Sequence, residues 1–119
     1  MKSLIIIAHG SRKEISNNEV LEIVKQVKNS KTNYTIVEPA FLEFATPTLE
    51  DSVIKSIDNN CLEVYIYPYF LNSGRHVTSD IPEEVDLLKE KYPHITFTVL
   101  THFGKSSKIN EIILSDTDI

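Results

Sequence analysis

Leu4-Ile5-Ile6-Ile7-Ala8 is apolar at every position and rich in β-branched side chains. A strand with one solvated face alternates polar and apolar residues. An uninterrupted run implies cover on both faces, the condition of a strand inside a parallel sheet. Further stretches that read as strands, with polar residues among the apolar ones, follow at 34–41, 62–67 and 95–100. Between and after them, apolar residues recur three and four apart: Val20, Ile23, Val24 and Val27; Val53, Ile54 and Ile57; Val85, Leu88 and Tyr92; Ile109, Ile112 and Ile113. That spacing gathers apolar groups on one side of a helix. Strand then helix, four times over with short connections, predicts an α/β fold: a single-domain, flavodoxin-like three-layer sandwich of about four mostly parallel strands with helices on both faces, spanning 1–119.

Local signals set the expected boundaries. Asn17 or Asn18 is a plausible cap for a first helix over 17–29. Pro39 places its strand at a sheet edge or ends it. Thr46-Pro47 reads as an N-cap followed by proline at the first helical position. Asp58-Asn59-Asn60 stops the second helix, and a third begins near Pro82, where Asp80, Glu83 and Glu84 suit the helix dipole. Ser106 or Ser107 caps the last helix, and 115–119 is expected to fray.

At 119 residues the chain supports one core. A net charge of −5 argues against nucleic acid as a general partner, which would need a basic face; Arg12, Arg75 and Lys105 remain candidates for a local basic patch. The single cysteine, Cys61, cannot close an internal disulfide, which fits a reducing compartment, and it reads as a small buried apolar group. No apolar stretch approaches the ~20 residues of a membrane span, and the first run lacks signal-peptide flanks. The expectation is a cytoplasmic protein without a membrane partner.

The chemistry is concentrated after the strands. Ligands of open α/β sheets sit beyond the carboxyl ends of the strands. His9, Glu43, His76 and His102 each fall just after a strand and share that rim, whereas His94 precedes the fourth strand and belongs to the opposite one. His9-Gly10-Ser11-Arg12 and Gly74-Arg75-His76 both set a histidine and an arginine beside a glycine. These two loops are expected to face one another and form a metal-handling site. Neutral imidazole ligates cobalt, nickel, zinc or iron, and it accepts protons near neutrality. His102 and His94 read as surface or supporting residues. Gly10 and Gly74 serve either tight turns or close approach of backbone N–H groups to a flat or anionic ligand. Glu43 is more often a helix-flanking surface acid than a ligand, and Phe70 with Leu71 suits an apolar pocket wall.

These residues resemble those of the short sirohydrochlorin chelatases, small class II chelatases of tetrapyrrole synthesis. His9-Gly10-Ser11-Arg12 matches the family's first-strand loop. Pro68, Phe70, Leu71, Gly74, His76, Asp80, Ile81 and Pro82 match every fixed position of its second motif. Phe41-Leu42-Glu43-Phe44 with Pro47, and Gly104, resemble further family segments. The resemblance implies insertion of a divalent metal, cobalt first and nickel or iron next, into sirohydrochlorin. The metal is then a substrate, and no cofactor is permanently bound. His9 and His76 would bind the metal, with His9 also taking the pyrrole protons. Gly10, Ser11, Arg12, Phe70, Leu71, Asn72, Ser73, Gly74 and Arg75 would contact the tetrapyrrole. Where some relatives carry an acid before the proline after the second strand, this chain has Thr46, so Glu43 would substitute. Longer family members contain two such modules, which implies a homodimer here. Two rival readings are a non-catalytic metal or tetrapyrrole carrier and a phosphohistidine-type phosphatase; the latter needs more arginines than the two present.

Overall fold

A computed structural model describes residues 1–118; Ile119, the last residue of the segment expected to fray, lies outside the described residues. The chain runs β1 (Lys2–Ala8), α1 (Glu14–Asn29), β2 (Ile36–Phe41), α2 (Leu49–Asp58), β3 (Glu63–Pro68), α3 (Ile81–Lys91), β4 (Thr96–Val99) and α4 (Ile109–Asp116). A π-helical turn, His76–Asp80, leads into α3, and a 3-10 turn, Phe103–Lys105, follows β4. The strands form one parallel sheet in the order β2-β1-β3-β4.

The uninterrupted apolar run becomes β1, covered on both faces. Ile5 and Ile7 pack with Leu49 and Val53 of α2 and with Ile81, Val85 and Leu88 of α3. Ile6, on the other face, packs with Val24 of α1 and Val37. Helices therefore lie on both faces. Pro39 sits in the edge strand β2, where a missing N–H costs no ladder bond. Cys61 is buried, and burial pushes its thiol pKa up.

Four local expectations are corrected. Helix α1 starts at Glu14, and Asn17 does not cap it; its amide bonds the Ser11 backbone instead. Helix α2 is capped by Thr48, not Thr46. The Thr48 hydroxyl accepts from the Asp51 N–H, and the Asp51 carboxylate accepts from the Thr48 N–H. Ile54 is exposed, while Ser52 and Ser56 take the buried positions. Their hydroxyls can go inside because each donates to a carbonyl, Pro39 O and Ser52 O. Last, Ile112 and Ile113 of α4 remain exposed, and neither Ser106 nor Ser107 caps that helix.

The strand order fixes where a ligand fits. From β1 the chain leaves for β2 on one side, and it later returns to form β3 on the other. The connections after β1 and after β3 diverge, opening a crevice at the carboxyl ends of these two neighbours. Among the described residues no helix is long and apolar enough to cross a membrane.

Candidate functional site

His9 directly follows β1. Past the strand ends, the two backbones stay paired: Leu42 N–H donates to Ala8 O at 3.0 Å, and Glu43 N–H donates to His9 O at 2.9 Å. This pairing presses the Glu43 carbonyl against residue 10. A Cβ there would lie 1.9 Å from Glu43 O, and Gly10 has φ +93°. Only glycine meets both demands. The resulting turn brings the Glu43 carboxylate to His9, Oε2 to Nε2 at 3.3 Å, while Nδ1 lies 2.9 Å from Gly10 O. Both ring nitrogens of His9 thus face acceptors. A neutral ring satisfies one of them and a protonated ring both.

His76 arrives from the opposite wall. The segment after β3 enters helical geometry at Arg75, earlier than the expected start near Pro82, and passes through the π turn. Its Nδ1 lies 2.7 Å from Asp80 Oδ2, and Phe70 stacks on the ring with centroids 6.1 Å apart at 30°. No protein group among the described residues hydrogen-bonds its Nε2. The two imidazoles meet with centroids 4.5 Å apart, although they lie far apart in the sequence, at positions 9 and 76. Both are partly exposed, at 39% for the His9 side chain and 42% for His76, so an ion can reach them from solvent. Among the described residues no three His, Cys, Asp or Glu side chains form a ready metal cage.

Two residues of this cluster lie in the family-like segments, but the sequence assigns them no role in the site. Asp80 reads there as a helix-starting acid. Phe44, with φ 64° and its ring half-exposed, stands edge-on to His9 at 6.1 Å and carries the Arg12 guanidinium 4.6 Å above its centre. A positive φ in an aromatic residue is costly and gathers at functional sites. It was invisible in the sequence, because nothing in Glu43-Phe44-Ala45 signals a left-handed turn. Beyond Phe44 lies a cavity of about 350 Å³ whose lining includes Ser11, Arg12, Asn18, Leu21, Phe44 and Thr46. Arg12 has no carboxylate within ion-pair distance among the described residues.

The other expected contacts spread along the rim. Leu71, Asn72, Ser73, Gly74 and Arg75 are all exposed, and no atom lies within 4 Å of where a Gly74 side chain would begin. Gly104 packs on this loop: its N–H donates to Phe70 O, and a Cβ there would lie 1.6 Å from Leu71 O. His102 is half-buried before the 3-10 turn and makes no ring contact with His9 or His76 among the described residues. His94 is exposed at the start of β4, on the opposite rim.

Comparison with known proteins adds an independent line. The family model described as CbiX matches residues 3–118. The chain is 33% identical over 110 residues to the chloroplastic sirohydrochlorin ferrochelatase of Arabidopsis thaliana, covering 92% of this chain and 48% of the relative. It is 37% identical over 83 residues to the sirohydrochlorin cobaltochelatase of Methanococcus maripaludis, covering 70% and 57%. It thus spans about half the length of these relatives. Among solved structures, a cobalamin (vitamin B12) biosynthesis CbiX protein from Marinobacter aquaeolei superposes with a TM-score of 0.86 at 22% identity, over 98% of this chain and 93% of that one. At that identity the superposition speaks for the fold alone.

Proposed function

The chain belongs to the CbiX family, and from that premise we propose that it inserts a divalent metal into sirohydrochlorin at the crevice between His9 and His76. The observation that carries this reading is the meeting of the two imidazoles, ring centres 4.5 Å apart, in an open site without a closed ligand cage. A metal in transit must be held and then released. Two imidazoles with open coordination positions suit delivery better than four fixed ligands suit it.

His76 offers Nε2 to the metal. His9 offers its Nε2 beside the Glu43 carboxylate, which neutralises part of the ion's charge. Metal ligation by the macrocycle releases two pyrrole N–H protons. His9 and Glu43 receive them and pass them to the solvent that reaches both groups. The exposed run 71–75 and the Phe44 ring border the crevice as walls for a planar ligand. The macrocycle carries carboxylate arms. Arg12 and Thr46 line the cavity beyond Phe44 and would receive one, with Arg75 and Lys105 adding positive charge at the rim.

Cobalt is the proposed metal. Imidazole donors alone do not discriminate cobalt from nickel or iron, and the matched relatives named for their metal include both a cobalto- and a ferrochelatase. We further read the working unit as a homodimer. The chain spans about half of its longer relatives, and α4 leaves Ile112, Ile113 and Leu114 exposed, which a second copy would cover. A monomeric mass with full activity overturns that part.

The test is a panel of Co²⁺, Ni²⁺ and Fe²⁺ with sirohydrochlorin, followed by the absorption change of the macrocycle, for the wild type and His9→Ala. Fast insertion by the wild type, lost in the variant, is expected. A rate equal to that of the uncatalysed reaction overturns the enzyme reading and leaves a carrier.

A further inference from the structure

We propose that Asp80 is the positioning residue of this site: it holds the Nδ1–H of His76 and thereby turns an unprotonated Nε2 toward the incoming metal. The inference rests on the reading of His76 as a metal ligand and adds the group that makes it one.

In the sequence, Asp80-Ile81-Pro82-Glu83-Glu84 has the look of a helix start, acidic where negative charge suits the helix dipole. The structure uses Asp80 differently. Its backbone is already helical, at φ −62° and ψ −47°, and its side chain caps nothing. The helix extends back through the π turn, in which the Ile81 N–H donates to His76 O. That extension places Asp80 one turn after His76 on the same face, with Oδ2 2.7 Å from Nδ1. Single π turns recur where a helix is adapted to a functional site.

A neutral imidazole carries one N–H. An anionic acceptor on Nδ1 selects the Nδ1–H form and leaves the Nε2 lone pair bare, as in the carboxylate–histidine pairs behind many metal sites. Phe70 lies alongside the ring, centroids 6.1 Å apart, and the His9 ring lies 4.5 Å away, so the bond from Asp80 to Nδ1 leaves Nε2 as the ring nitrogen without a protein partner in this cluster. Helix surface pairs at this spacing stabilise a helix only slightly. A purely structural role therefore predicts a small loss of stability and no loss of cobalt affinity.

The experiment compares wild type, Asp80→Ala, Asp80→Asn and His76→Ala, using Co²⁺ alone as the probe. Long-range ¹H–¹⁵N spectra, taken where the ring is neutral, read the tautomer of His76. The wild type is expected to show Nδ1–H, and Asp80→Ala to shift the ring toward Nε2–H. Cobalt affinity is expected to fall about 10- to 100-fold in Asp80→Ala, with the melting temperature retained. Asp80→Asn, which keeps an acceptor oxygen, recovers part of that loss. An unchanged tautomer, or cobalt affinity equal to wild type in Asp80→Ala, overturns the proposal. If the wild type binds cobalt no better than His76→Ala, the metal reading of the site fails instead, and the nitrogen spectra decide separately whether Asp80 sets the tautomer.

Discussion

The two histidine loops arrive at one crevice by opposite means. The loop after β1 is held by backbone: paired strand ends, a glycine at φ +93° and the Glu43 carbonyl pressed against it. The loop after β3 is tied by backbone only at its two ends, through Gly104 N–H to Phe70 O and Val77 and Thr78 N–H to Gly74 O, while Leu71 to Arg75 lie exposed between them and the Asp80 carboxylate holds the His76 ring. The difference extends to the rings. His9 has acceptors on both nitrogens; His76 has one acceptor and one bare nitrogen. The first arrangement suits a group that takes up a proton, the second a group that lends a lone pair. A tightly built wall faces an open one, and under the proposed function the open wall would admit the planar ligand while the other keeps the metal's position.

The strongest way to break this comparison is to remove each ring. His76→Ala is expected to abolish measurable cobalt binding. His9→Ala is expected to weaken binding less, while slowing insertion about 10²- to 10⁴-fold, the usual range for loss of a general base. Cobalt absorption reads binding, and macrocycle absorption reads insertion. Equal or reversed losses of binding would end the division of labour between the rings.

The glycines give the next test. Gly10→Ala puts a Cβ into the Glu43 carbonyl and imposes a left-handed conformation on alanine, which alone costs about 1–3 kcal/mol. Gly74→Ala meets open space with no positive φ, so it is expected to range from neutral to stabilising by up to about 1 kcal/mol. Thermal or denaturant unfolding of the two variants separates them. Equal destabilisation would mean that the His76 loop is as tightly built as the His9 loop.

The parts of this molecule that sequence reveals are those governed by repetition. Ile5, Ile6 and Ile7 announce a strand buried on both faces, and Pro39 an edge. The position of His9, Glu43 and His76 after three strands of a parallel sheet puts them on one rim whatever the helix boundaries are. What sequence hides depends on single side chains choosing among partners. Asn17 has the chemistry of a cap and bonds Ser11 instead. Asp80 has the same chemistry and bonds His76. Ser52 and Ser56 look like surface residues until their hydroxyls find carbonyls, whereas Ile54, which fits the helical period, is turned outward. Phe44 takes a conformation that no propensity favours, because the paired backbone around Glu43 leaves the chain little other way to turn. Where a partner is seen, whether one turn away as for Asp80 or on another element as for Ser52, that particular bond outweighs a generic local preference of similar or smaller size.

The smallest expected effect sharpens the comparison at the rim, where each loop carries one arginine. Arg12 is supported from below by the Phe44 ring at 4.6 Å, and it borders the cavity beyond. Arg75 is exposed and has no ion-pair partner among the described residues, so its side chain must be ordered by whatever it binds. Exposed charge contacts contribute about 0.2–1 kcal/mol, which is roughly a 1.4- to 5-fold change in a binding constant. Arg12→Ala is expected near the top of that range in KM for the tetrapyrrole and Arg75→Ala near the bottom, with kcat preserved in both, since neither group touches the metal. Raising the ionic strength toward about 1 M, where the screening length is about 3 Å, should erase the Arg75 effect before the Arg12 effect. If salt erases both together, the Phe44 ring lends Arg12 no extra hold, and the contrast between the rigid and the open wall stops at the two histidines.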